Sequence, residues 1–108
     1  MPITREFRET VRARAEADAR FRAAMLTEAI NELLAGDLGT GKALLRDYVN
    51  ATLTFDRLTE ATGIPVKSLQ RMFGPRGNPT AKNLFAVIKA LQDAEHITLA
   101  VKATRYAS

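Results

Sequence analysis

Among its 108 residues the chain has no cysteine and a single histidine, His96. That excludes a disulfide framework and a thiolate metal site, and one imidazole cannot make a histidine-based site. The same shortage removes most of the side chains that do nucleophilic and acid–base chemistry, and no pair of carboxylates converges to replace them. An enzyme is not expected, and neither is a cofactor or a metal. No apolar run approaches the roughly 18 to 20 residues of a bilayer span. Residues 1–10 hold four charges where a secretory signal would place its apolar core. The expectation is a cytoplasmic protein, with which the lack of cysteine agrees. A chain of this length makes one domain, burying roughly two thirds of its unfolded surface.

Acidic residues are missing from one long stretch. The net charge is +4, yet residues 1–36 are neutral, with six Lys or Arg against six Asp or Glu. All of the excess lies in residues 37–108, which carry ten against six. Between Glu60 and Asp93 stand Lys67, Arg71, Arg76, Lys82 and Lys89 with no acidic residue among them. A run of one sign is commonly just a solvated face. It becomes a candidate phosphate-facing patch when it coincides with a motif that can use it.

Hydrophobic periodicity divides the chain into helices. Residues 4–17 are rich in Arg, Glu and Ala, with Phe7 and Val11 one turn apart, which predicts a helix with a thin apolar face. Asp18 is placed to cap the next. From 19 to 35, Phe21, Met25, Ala29, Ile30, Leu33 and Leu34 recur with a period near 3.6 and end at Gly36. The string Gly36-Asp-Leu-Gly-Thr-Gly41-Lys42-Ala43 nearly matches the nucleotide-binding loop G-x-x-x-x-G-K-[ST]. Three features argue against that reading. Ala43 replaces the magnesium-binding hydroxyl, the preceding segment is an amphipathic helix, and no series of strands is available for the sheet such a loop sits on. Instead Gly36 ends one helix, and Asp37 or Thr40 caps another carrying Leu44, Leu45, Tyr48 and Val49 to about Asn50.

After a link at 51–53 the chain reaches its organising stretch, residues 54–73. Thr54 is a suitable N-cap, and Leu58 and Ala61 share one face of a short helix. Gly63 then supplies a left-handed C-cap, and Pro65 opens a second short helix. In that helix Leu69, Met72 and Phe73 fall at i, i+3 and i+4 and must turn inward, while Lys67, Gln70 and Arg71 face away. Two such helices about a glycine turn have the pattern of a helix-turn-helix with a DNA-reading second helix. The 74–79 segment is a loop, and Thr80 caps a last helix with Leu84, Val87, Ile88 and Leu91 on one face. From His96 the chain alternates, with Ile97, Leu99 and Val101 on one side. That fits either a short strand pairing with its copy in a second subunit or an irregular tail packed on the core. The chain thus divides into an N-terminal helical segment at 1–36, a core at 37–95 and a tail at 96–108.

The run Gly63-Ile-Pro-Val-Lys-Ser-Leu-Gln-Arg-Met-Phe, with Gly77-Asn-Pro-Thr80 and the helix to Leu91, resembles small bacterial regulators with a Cro/C1-type helix-turn-helix. Among these it is most similar to the antidotes of addiction modules, over roughly residues 21–92. The resemblance implies an all-α fold, a five-to-six-helix bundle containing a lambda-repressor-like helix-turn-helix, and a homodimer on palindromic operator DNA. It also implies regulation of the protein's own operon and, as a possible protein partner, a small ribosome-dependent endonuclease toxin. Two positions depart from the pattern. Thr59 stands where Ala is usual for close helix approach, and Thr62 where an apolar residue is common.

With the second helix in the major groove, Val66, Lys67, Gln70 and Arg71 are the candidates for base edges, Arg71 first because a guanidinium pairs bidentately with guanine. Val66 could instead pack. Thr54, Ser68, Arg76, Asn78, Thr80 and Lys82 are candidates for phosphate, although Thr54 and Thr80 need do no more than cap and Ser68 could simply be solvated. Leu58, Ala61, Ile64, Leu69, Met72 and Leu84 are assigned to the core, and His96 to the surface. Tyr48 and Phe85 could stack on bases, but their helical spacing makes them core or interface residues first. Two functions follow: a sequence-specific double-stranded DNA-binding transcriptional regulator, or an antitoxin or adaptor on the same scaffold that binds a protein through Phe7, Val11 and the first helix.

Overall fold

A computed structural model describes residues 4–106; the outermost residues of the first and last segments, 1–3 and 107–108, lie outside the described residues. Six helices follow one another: α1 Arg5–Ala17, α2 Ala19–Leu34, α3 Leu38–Ala51, α4 Phe55–Thr62, α5 Val66–Met72 and α6 Ala81–Glu95. No strand occurs among the described residues, and no helix there is long and apolar enough to cross a membrane.

Four of the six helix starts are set by local side chains. Asp18 accepts from the backbone N–H of Arg20 and Phe21 at the start of α2, and Thr80 from that of Asn83 at the start of α6. Asp37 caps α3 by accepting from both the N–H and the hydroxyl of Thr40, which holds its carboxyl below the usual carboxylate range. The turn between α2 and α3 is a Schellman closure: Gly36, at φ 86°, donates to the Leu33 carbonyl, and Asp37 donates to that of Glu32. The nucleotide-loop-like string therefore falls across this turn and the first turns of α3. Gly41 lets the two helices touch, since a Cβ there would lie 2.4 Å from a methyl of Leu33.

One core runs through five helices. Leu26 and Ala29 of α2, Leu45, Tyr48 and Val49 of α3, and Phe55 and Leu58 of α4 meet Leu69 and Met72 of α5, Phe73, and Val87 and Leu91 of α6. The thin face of α1 contributes Ala15, which is fully buried, whereas Phe7 is 55% exposed. Leu58, Leu69 and Met72 are buried as the spacing requires, with Ile64 and Leu84 half-buried beside them. Ala61 is a correction: it lies in the last turn of an eight-residue helix, where nothing covers it. Phe85, for which the spacing left core and interface open, is 64% exposed although its periodic neighbours Val87 and Ile88 are buried, so it is not a core residue. The apolar stripe of α6 is narrow, and Phe85 falls outside it.

Glu95, at the end of α6, ties the outer helices together. One of its oxygens accepts from Arg22 Nε at 2.7 Å and from the Tyr48 hydroxyl at 3.1 Å. Arg22 also donates to the Ala15 carbonyl at 2.7 Å. Burial, and then the Glu95 carboxylate, push the Tyr48 phenol above the ordinary tyrosine value. The folded state thus holds this proton more tightly than the unfolded chain does. The stabilisation is fully present below about pH 10 and is lost as pH rises, by at most about 1.4 kcal/mol per pH unit. Thermal unfolding between pH 8 and 11 should show a steeper alkaline loss for the natural chain than for Tyr48→Phe; equal slopes would rule this out.

His96, exposed and at φ 58°, ends α6, and residues 97–106 follow without regular structure. The alternative of a C-terminal strand is corrected here. The alternation delivers Ile97 and Leu99 to the core, and the Leu99 N–H donates to Gln92 Oε1 at 2.8 Å, a side chain rather than a strand edge. Val101 and Tyr106 are exposed.

Candidate nucleic-acid interface

The site is built on α4, the turn after it, α5 and the 74–79 loop. Gly63, at φ 75°, closes α4 by donating to the Thr59 carbonyl, a conformation that costs a residue with a Cβ much more than glycine. Thr62 donates its hydroxyl to the Leu58 carbonyl and accepts from the Ile64 N–H. A hydroxyl thus satisfies the turn. Pro65 then sits as the N-cap of α5 at φ −57°, pre-set for the helix it opens.

Leu69, Met72 and Phe73 anchor α5 and its end in the core. Phe73 meets Phe55 of α4 with ring centroids 6.4 Å apart and planes tilted by 45°. That anchoring leaves Lys67, Gln70 and Arg71 exposed on the outer side, and Arg76, Asn78, Thr80 and Lys82, in the loop and at the start of α6, are exposed as well. No ion pair within the described residues engages Lys67, Arg71, Arg76 or Lys82, whereas Lys89 pairs with Asp93 one turn on. Ser68 is half-buried. Val66 is half-buried and packs against the core. Thr80 uses its hydroxyl to cap α6.

Thr54 differs from its expected role. It precedes α4, but its side chain makes no capping bond, and its φ is 73°. The chain reverses sharply after α3, with the Thr54 N–H donating back to the Val49 carbonyl at 2.8 Å. From that backbone geometry the hydroxyl does not reach the first-turn N–H groups. A β-branched residue at positive φ is strained by about 1 to 3 kcal/mol.

Thr59 also stands out. Its hydroxyl oxygen is buried with no hydrogen-bond partner among the described residues. Thr59→Val, which replaces the hydroxyl with a methyl of similar size, should raise stability by about 1 kcal/mol in a denaturant titration. A lower stability would mean that the hydroxyl has a partner.

Lys42 was not singled out by the sequence for this site. It is only 5% exposed, and its ammonium donates to the carbonyls of Gly74 at 3.0 Å and Gly77 at 2.6 Å. The signal was present: Lys42, Leu45 and Val49 fall at i, i+3 and i+7 of α3, which puts the lysine on the inward face. The lysine that a nucleotide loop would aim at phosphate is instead committed to the protein's own backbone. The Gly74 carbonyl also accepts from the Gly77 N–H at 3.0 Å, closing a turn with Pro75 and Arg76 at its centre. Gly77 itself lies against the end of α5, where a Cβ would come within 2.1 Å of the Arg71 carbonyl oxygen and 2.3 Å of that of Met72.

Among the described residues no group of three His, Asp or Glu side chains is placed to hold a metal ion. Comparison of the chain with protein-family models, with curated proteins and with solved structures gives no match.

Proposed function

We propose that the chain is a sequence-specific regulator that binds double-stranded DNA through a lambda-repressor-like helix-turn-helix, with α4 and α5 as its two helices and α5 as the reader. The observation that carries this reading is the two-sided character of α5. One side is locked into the core by Leu69 and Met72, and the other presents Lys67, Gln70 and Arg71. Arg76, Asn78, Thr80 and Lys82 continue the same exposed, acid-free run and supply phosphate contacts. The protein acts in the cytoplasm as a homodimer on a palindromic operator, that of its own operon, and a toxin encoded beside it is the expected protein partner.

The test is selection of bound fragments from the source genome, followed by a salt titration on the best fragment. A regulator should enrich a two-fold symmetric motif whose half-sites are about one helical turn apart, with affinity falling steeply as salt rises. No enrichment, or binding indifferent to sequence, would end this reading.

A second reading has its own support. Phe7 is exposed, and with Val11 it borders a groove walled by Phe21 and Met25 of α2 and Leu44 of α3. On this reading the scaffold acts mainly through a protein held in that groove. Phe7→Ala would then abolish partner capture and leave DNA binding intact.

A further inference from the structure

We infer that Lys42 is a positioning residue for DNA binding: its tether to the 74–79 loop sets Arg76 and Asn78 in place before DNA arrives. This rests on the DNA-reading assignment of α5 and its following loop. The starting point is a charge where charge is costly. A buried ammonium is tolerated only where acceptors and surroundings compensate it, and none of the hydrogen bonds from Lys42 goes to a carboxylate. Backbone carbonyls just beyond the C-terminal end of α5 compensate it instead, where the helix dipole favours a cation. Lys42 belongs to α3, so it joins two elements that share no other polar link among the bonds described above.

The tether acts on a loop that is held from two further directions. Gly77 is pressed against the Arg71 and Met72 carbonyls, and its N–H closes the turn onto Gly74. Arg76 stands between the two glycines whose carbonyls Lys42 holds, and Asn78 follows directly. A loop fixed in this way loses little conformational freedom when it meets phosphate. An untethered loop would make the same final contacts but would have to be ordered first. The two cases differ in affinity, not in the number of phosphates neutralised.

That difference defines the experiment. Lys42→Met keeps the aliphatic stem and removes the donors. Operator affinity would be measured across a salt series, with the folded fraction fixed by circular dichroism, alongside amide hydrogen exchange. The expected result is an affinity on the order of ten-fold weaker at every salt concentration, an unchanged slope against salt, and faster exchange of the Gly77 amide. A purely structural lysine would lower the melting temperature and leave the affinity of the folded fraction unchanged, which would overturn the inference while DNA binding by the natural chain still stands. Should Lys42→Met fail to fold, the natural chain decides. Its Gly77 amide must be protected without DNA and no more protected with it. Protection that arises only on adding operator overturns the inference, and failure of the natural chain to bind any fragment overturns it together with the DNA reading.

Discussion

Gly77→Ala is expected to destabilise the protein by about 3 kcal/mol or more, roughly 12 to 24 °C in melting temperature for a domain of this size. The cause is contact rather than conformation. The added methyl would sit 2.1 and 2.3 Å from two backbone oxygens at the end of α5, and neither can swing aside as a side chain could. Either α5 loses its last turn or the loop lifts away, and in the second case Lys42 loses an acceptor. Gly39→Ala is the matched control. Gly39 lies in the first turn of α3, and a Cβ there meets only Asp37 Oδ1 at 3.8 Å, an ordinary contact. Alanine at 39 should therefore raise stability by about 0.5 kcal/mol through its helix propensity. Two glycine-to-alanine changes of opposite sign in one thermal series would establish the packing of the loop on α5. A Gly77→Ala variant melting within a few degrees of the natural chain would disprove it.

The second large effect is on binding. Replacing Lys67 and Arg71 together by alanine should weaken operator binding by about 2 to 6 kcal/mol, roughly 30-fold to 20,000-fold. Neither side chain is engaged in an ion pair among the described residues, so their loss should leave the stability within about 1 kcal/mol of the natural chain's. The single variants separate their roles. Arg71→Ala should relax the sequence preference at one position of each half-site, as expected when a bidentate contact to guanine is removed. Lys82→Ala should instead weaken binding to all sequences alike and reduce the salt slope by about one. Fluorescence anisotropy on operator variants distinguishes these patterns. A double variant that binds as tightly as the natural chain would remove α5 from the interface.

What could be read in advance was local. Asp18, Asp37 and Thr80 cap helices because a short acceptor before a periodic run has its partners two or three residues away, and Gly36 and Gly63 end helices for equally local reasons. The exposed run from Lys67 to Lys82 was legible as well, since periodicity alone decides which side of α5 faces out. Periodicity does not say what lies opposite a residue. The partners of Lys42 are 32 and 35 positions away, and Glu95 reaches Arg22 across 73. Both side chains are charged, and a pattern that sorts residues by polarity assigns them to water. Thr54 misled in another way: its residue type suits a cap, but its backbone is dictated by the reversal after α3. Ala61, inward by spacing, lies where no neighbouring element comes to cover it, and of the two places open to Phe85, core or interface, its exposure removes the core.

The junction at Glu95 also fixes an order of events during synthesis. Arg22 and Tyr48 leave the ribosome long before their common acceptor does, since α6 follows the other five described helices. Val87 and Leu91 of the same helix arrive equally late to a core that is otherwise assembled from earlier residues. Until then the nascent chain can form the α2–α3 hairpin, whose contacts are near in sequence, but it carries an arginine and a tyrosine without their carboxylate and an uncovered apolar surface. Among the described helices α6 is thus the latest to supply its share of the core, and a transcript cut short before residue 95 encodes a chain without the acceptor that Arg22 and Tyr48 share.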